Sequence, residues 1–193
     1  MNCPEVLEKA VTKRRAEFLA GRVLAKLALR TLGRFETDIP IGSDRAPVWP
    51  DGSAGSISHT RDRCVCLALP GTAFYPGVDV EALARGREVE AILQTVVNAR
   101  ERAIIEAPTS LSAALRVTLV FSAKETLFKA LYPIVRCSFG FDSAELCAPP
   151  AEGRLGLRLT RPLHPSLRVG QIYDVRFIAT SDHVLTWLAV PRP

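Results

Sequence analysis

The longest stretch of good helix formers runs from Glu5 to Leu32. It holds no proline, and Gly33 is placed as a stop, so it predicts one long helix whose interior weak point is Gly21. At 100° per residue Arg15, Phe18 and Arg22 share a face and Arg14 lies beside it, which gathers cations on one side. Periodicity disappears between 34 and 56, where Pro40, Gly42, Asp44, Pro47, Pro50, Asp51, Gly52 and Gly55 predict an irregular connection. Cys64 to Leu69 is then an almost wholly apolar run closed by Pro70 and Gly71, the pattern of a strand buried on both faces. Gly77 to Glu81 predicts another strand after a turn at Pro76-Gly77.

Glu88 to Glu106 predicts one or two helices ended by Pro108, and Leu111 to Tyr132 a further helical stretch ended by Pro133. The pattern leaves open whether that stretch breaks at Ser122. Leu155, Leu157 and Leu159 alternate with Gly156, Arg158 and Thr160, and Tyr173 to Thr180 and His183 to Val190 are strand-like too, so the tail predicts an antiparallel meander.

Of the 193 residues 48% are hydrophobic and 23% charged, a globular balance that suits one domain or two small lobes sharing a core. Charges interrupt every apolar run, as Lys124, Glu125 and Lys129 do between Val117 and Leu131, so no membrane span is expected. The first twelve residues carry Glu5, Glu8 and Lys9 without an apolar run, and the expected compartment is the cytoplasm. Cys3, Cys64, Cys66, Cys137 and Cys147 lack zinc spacing and are expected as reduced thiols. A net charge of +5 favours an anionic partner. Aromatics at 7%, with no basic stripe carrying stacking residues, argue against nucleic acid and for a phosphate-bearing small molecule.

Three short segments carry candidate chemistry. In GVDVE a period of two sends Val78 and Val80 to one face and Asp79 and Glu81 to the other, where two carboxylates make either a wetted edge or a place for a hard divalent cation. In FSAKETLFKA, Ser122 and Glu125 have capping-box spacing and Glu125 and Lys129 that of an i,i+4 ion pair. The same residues could instead put a third carboxylate at the cation and an ammonium on a phosphate. GSISH, residues 55 to 59, offers a small-residue turn with Ser58 and His59, which serve better as phosphate donors than as a hydrolase pair because no GxSxG elbow is present.

In order and wording, KRRAEFLAGR (13 to 22), RAPVWPDGSAGSISHT (45 to 60), GVDVE (77 to 81) and FSAKETLFKA (121 to 130) resemble the successive motifs of the 4'-phosphopantetheinyl transferases. They are most similar to the siderophore-synthetase branch of the Sfp-like class. The resemblance implies an α+β fold of two similar lobes with pseudo-twofold symmetry, each a small antiparallel sheet with a packed long helix: residues 1–76, and 77–193 with the metal motifs. It implies transfer of 4'-phosphopantetheine from coenzyme A to a serine of an apo acyl or peptidyl carrier protein, with Mg²⁺ or Mn²⁺, release of 3',5'-ADP, and a monomer.

Matched by position, Asp79, Glu81 and Glu125 would hold the metal, with Glu125 also the general base. Lys129 would contact the pyrophosphate, Ser58 and His59 the phosphates, and Arg45 with Arg14 or Arg22 the 3'-phosphate, while Lys124 would give electrostatic support. Related proteins usually carry a substantial segment ahead of the first motif, which here begins at Lys13, so a trimmed first lobe or a shortened chain is expected. The rival readings are a Mg²⁺-dependent nucleotide pyrophosphohydrolase and a non-catalytic module that binds coenzyme A or a carrier.

Overall fold

The computed structural model describes residues 12–35, 38–71 and 73–193, with side chains from Arg15 onward. Helix α1 (Thr12–Thr31) is followed by strands β1 (Ser53–His59), β2 (Cys64–Pro70) and β3 (Phe74–Ala82). Helices α2 (Arg87–Thr95), α3 (Ala99–Glu106) and α4 (Ala113–Val135) come next, then β4 (Ala144–Leu146), β5 (Arg154–Leu159), β6 (Ile172–Ala179) and β7 (His183–Pro191). β1 and β2 form a two-stranded antiparallel sheet, and the other strands a five-stranded antiparallel one in the order β3-β7-β6-β5-β4. The fold is α+β, as expected, and β5, β6 and β7 form the expected meander.

α1 ends as its sequence predicts. Gly33 takes a left-handed φ of 76°, the Arg34 N–H returns to Leu29 O and the Gly33 N–H to Arg30 O, which satisfies the last carbonyls. The helix covers the small sheet through Ala25 and Leu29, which pack with Ile39, Trp49, Ile57 and Cys66. The part of the predicted helix before Thr12 lies outside the described residues. α4 lies under the large sheet, with Val117, Val120, Ala123, Leu127 and Leu131 packed in one core with Leu155, Leu157, Val175, Leu188 and Val190.

α4 settles the open question at Ser122, running unbroken through it. Several expectations need correction. α4 does not end at Pro133 but runs past it to Val135, where Arg136 takes a left-handed φ of 57° and caps onto Tyr132 O. Pro133 removes one hydrogen bond close to the helix end, which the last turn tolerates. GSISH is strand rather than turn, because β1 begins at Ser53. β3 begins at Phe74, so Pro76 and Gly77 lie inside it; β3 closes one edge of its sheet, where a residue without an N–H is accommodated. β2 is half-buried along its length, since it belongs to a sheet of only two strands. β4 has no counterpart among the predicted strands, being three residues long.

The two hairpins that close nearest each other are built alike. In Thr60-Arg61-Asp62-Arg63, between β1 and β2, the Thr60 hydroxyl accepts the Arg63 N–H and donates to Asp62. In Thr180-Ser181-Asp182-His183, between β6 and β7, Thr180 does the same with His183 and Asp182. His183 Nε2 lies 3.1 Å from Asp62 Oδ1 and links the two turns.

Among the described residues no helix is long and apolar enough to cross a membrane. Cys64, Cys66, Cys137 and Cys147 are free thiols, and burial pushes Cys66 up to about 12; Cys3 lies outside the described residues.

β3 lies directly on α4 at Gly77. A Cβ there would stand 2.1 Å from Thr126 O and 3.0 Å from Ala130 Cβ, with backbone as the nearest obstacle. Gly77→Ala is therefore expected to cost about 3 kcal/mol in urea unfolding, the upper part of the usual overpacking range, as the strand is pushed off the helix.

Candidate active site

Asp79 projects from β3 towards α4, and only 1% of its surface is exposed. A buried carboxylate costs several kcal/mol unless its oxygens are paired, and both of these are. Oδ1 accepts from Lys129 Nζ at 2.6 Å and from Ser58 Oγ at 2.7 Å, and Oδ2 accepts from Ser122 Oγ at 2.8 Å. Lys129 Nζ also donates to Ser58 Oγ at 2.9 Å. Three elements thus meet on one side chain: β1 through Ser58, β3 through Asp79 itself, and α4 through Ser122 and Lys129.

Helical spacing puts Ser122, Glu125, Thr126 and Lys129 on one face of α4. Neither local expectation for this stretch holds. Ser122 is interior to the helix, whose N-cap is Ser112, and the capping box belongs to α3, between Asn98 and Glu101. Lys129 pairs across to Asp79 rather than along the helix to Glu125.

Glu81 and Glu125 complete a set of three carboxylates. Burial pushes Glu81 up from its ordinary value of 4.5 to about 7; the charges of Asp79, Glu125 and Glu88 add to the shift and Lys129 opposes it. Glu125 is also raised, first by burial and then by Asp79, again against Lys129. Three acids with one ammonium in a poorly solvated patch make an all-oxygen donor set with negative charge to spare, the chemistry that suits Mg²⁺ or Mn²⁺. Among the described residues, however, no three His, Cys, Asp or Glu side chains converge as metal ligands, and the ammonium of Lys129 rests on the Asp79 oxygen.

Through Lys129 the cluster borders a cleft of about 380 Å³ between α4 and the irregular segment before β1, with Arg45, Trp49, Phe128 and Tyr132 also on its walls. Gly55 makes part of this cleft: its backbone lies under the Trp49 ring, 2.3 Å from where a Cβ would be, so only glycine lets the indole lie on β1. A smaller depression of about 240 Å³ shares Phe128 and Ser138 with the cleft and has Glu125, Phe139 and Phe141 on its walls. Glu125 and Lys129, one turn apart, therefore open onto adjoining spaces.

Other expected site residues point elsewhere. Lys124 faces away from Asp79; its buried ammonium donates to Glu101 Oε2 and Val96 O at 2.8 Å each and to Phe141 O at 3.1 Å. It is a structural cation tying α3 to α4. Arg22 is buried, donates from Nε to Ile39 O at 2.6 Å and stacks on Phe18, so the predicted basic face of α1 is divided. His59 follows Ser58 in the strand and so lies on the opposite face, 3.9 Å from Glu17. The Arg14 side chain lies outside the described ones. Sequence reasoning missed Thr126, Thr186 and the aromatic walls Trp49, Phe128 and Tyr132, and it weighed Ser122 only as a cap. The spacing of Ser122 and Thr126 with Lys129 was a usable signal; the approach of Thr186 depends on long-range strand pairing.

Residues 4–69 match a family model described as the 4'-phosphopantetheinyl transferase N-terminal domain, and residues 75–187 one described as the 4'-phosphopantetheinyl transferase superfamily. The chain is 41% identical over 142 residues to enterobactin synthase component D of Salmonella typhi, covering 72% of this chain and 57% of that protein. It is 34% identical over 191 residues to the 4'-phosphopantetheinyl transferase Svp of Streptomyces mobaraensis, covering 96% of this chain and 76% of that one. It is 32% identical over 141 residues to the 4'-phosphopantetheinyl transferase Npt of Nocardia iowensis, covering 73% and 62%. The match thus spans little more than half the length of the enterobactin synthase relatives.

The raised Glu81 has a measurable signature. The folded state holds a proton that the unfolded chain releases near 4.5, so the metal-free protein should lose stability as pH rises from about 4.5 to about 7. The groups facing Glu81 are Asp79 on its own strand, Glu125 and Lys129 on α4, and Glu88 on α2. Glu81→Gln should flatten that part of the decline, so that with EDTA its urea midpoint exceeds the unmodified protein's at pH 8 and the difference closes towards pH 4.5.

Proposed function

We propose that this chain, which belongs to the 4'-phosphopantetheinyl transferase superfamily, transfers the 4'-phosphopantetheine group of coenzyme A to a serine of an apo carrier protein and releases 3',5'-ADP. The observation that carries it is the meeting of Ser58, Asp79 and Lys129 at the edge of a cleft that also presents Arg45. Residues from three of the four resembling motifs act there on one side chain and one space.

In this reading coenzyme A lies in the cleft, Lys129 turns to its pyrophosphate, and Arg45 meets the 3'-phosphate region. Ser58 holds Asp79 and Lys129 in register. The carrier serine Oγ bonds to the β-phosphorus, its proton passes to Glu125, and the phosphoanhydride bond to 3',5'-ADP breaks. Burial raises the proton affinity of Glu125, the direction a base requires. Asp79, Glu81 and Glu125 would hold Mg²⁺ or Mn²⁺, which when bound screens the pyrophosphate and stabilises charge on the leaving group.

The carrier is taken to be a peptidyl or acyl carrier of the siderophore type, in line with the enterobactin synthase relatives. The net charge of +5 suits an acidic carrier surface. We take residues 1–76 and 77–193 as the two lobes of a cytoplasmic monomer.

Intact-mass spectrometry of an apo peptidyl carrier incubated with the chain, coenzyme A and Mg²⁺ should show a gain of one phosphopantetheine, abolished by EDTA. Asp79→Ala and Glu125→Gln should each lower the rate by at least about 100-fold, the lower end of what a positioned acid or base contributes. Coenzyme A cleavage without a carrier would replace this proposal with a pyrophosphohydrolase, and coenzyme A binding with no transfer to any carrier would replace it with a binding module.

A further inference from the structure

Behind Asp79 stand three hydroxyls, none with any exposed surface, whose bonding has only one consistent direction. Ser122 Oγ lies 2.8 Å from Asp79 Oδ2 and 2.8 Å from Thr186 Oγ1, and Thr186 Oγ1 lies 2.6 Å from Thr126 Oγ1. Each hydroxyl has one proton to give. The Ser122 hydroxyl donates to Asp79 Oδ2, so Ser122 must accept from Thr186, and Thr186 from Thr126. The Thr126 hydroxyl has Thr186 O, at 3.2 Å, as a second acceptor. Three O–H dipoles therefore align head to tail on one carboxylate oxygen, in a buried interior where each strengthens the next.

We propose that Ser122, Thr186 and Thr126 are positioning residues that fix the rotation of the Asp79 carboxylate, reserving Oδ2 for the protein and directing Oδ1 to the cation and pyrophosphate side of the site. The role assigned to Oδ1 rests on the transferase reading above. The geometry carries the division: among the described residues Oδ2 is bonded only to the helix-side hydroxyl, whereas Oδ1 faces Lys129 and Ser58, and Lys129 lines the open cleft. Without the hydroxyl chain the carboxylate would be held on the Oδ1 side alone, by Lys129 and Ser58, about a last torsion that is intrinsically broad and roughly two-fold. Ser122 and Thr126 stand on the buried side of α4 and Thr186 on β7 opposite Asp79 on β3, so the chain spans strand pairing and helix packing together.

Thr186→Val keeps the shape and removes the central hydroxyl. The test compares crystal structures of the unmodified chain and this variant, and measures Mn²⁺ affinity by electron paramagnetic resonance with coenzyme A present. The Asp79 carboxylate should leave its position towards Lys129, and Mn²⁺ affinity should fall about tenfold, the usual lower bound for losing a residue that orients a metal ligand. Thr186→Ser should restore both. A carboxylate that stays in place in Thr186→Val overturns the proposal, as does unchanged Mn²⁺ affinity beside a displaced carboxylate, or a failure of Thr186→Ser to rescue. If Thr186→Val does not fold, Thr126→Val removes the terminal donor and is judged by the same criteria. An unmodified chain that neither binds Mn²⁺ nor transfers phosphopantetheine overturns the transferase reading alone, and the carboxylate position then decides the positioning role by itself.

Discussion

A single carboxylate buried at the meeting of a lysine ammonium and two serine hydroxyls dictates much of this structure. Asp79 needs partners for both oxygens, and β3 can supply none of them. Its donors come from β1 before it in the chain and α4 after it. The same demand therefore closes the first hairpin onto the second sheet and sets α4 against β3. Gly77, two residues earlier on β3, lets the helix come close enough for these bonds to form.

The two sheets are unequally supported by apolar packing. Among the described residues the large one shares a core of seventeen buried hydrophobic residues with α4, whereas the α1 cluster contains three. Polar contacts do much of the joining: Ser56 Oγ accepts the Val78 N–H, Ser58 reaches Asp79, and His183 reaches Asp62. Side-chain hydroxyls here stand where a further strand would otherwise offer backbone groups. Such a junction is directional where an apolar one is tolerant, and directionality is what a site built across it requires.

Much of the second half was legible in the sequence because its signals are local. Alternation in Leu155 to Thr160 and in His183 to Val190 marks half-buried strands, and Gly33 marks the end of α1. The site was legible as a list of residue types in order, but not as an arrangement. Lys124 and Lys129 look equivalent in FSAKETLFKA, yet five residues of helix turn them to different sides, one into Glu101 and the other onto Asp79. Ser122 with Glu125 imitates a cap, and only continuous helix on both sides of it shows that the hydroxyl is committed elsewhere. Arg22 carries the charge of a phosphate ligand, but the later carbonyl of Ile39 takes it inward. The repeated turn at Thr60 and Thr180 was present as two similar tetrapeptides, too short to stand out until their hydrogen bonds are compared.

Lys129 sits where the structural and chemical demands of Asp79 meet. It pairs with the buried acid and also lines the cleft, so its ammonium has both a protein partner and access to a ligand. A phosphate arriving in the cleft competes with Asp79 for that ammonium. To the extent that the phosphate wins, Asp79 and its two raised neighbours lose the cation that offsets them. In the proposed reaction their mutual repulsion would then favour a second cation arriving with the phosphate. On that reading ligand and counter-charge would be coupled through one side chain, with the hydroxyl chain behind Oδ2 keeping the exchange on the Oδ1 side.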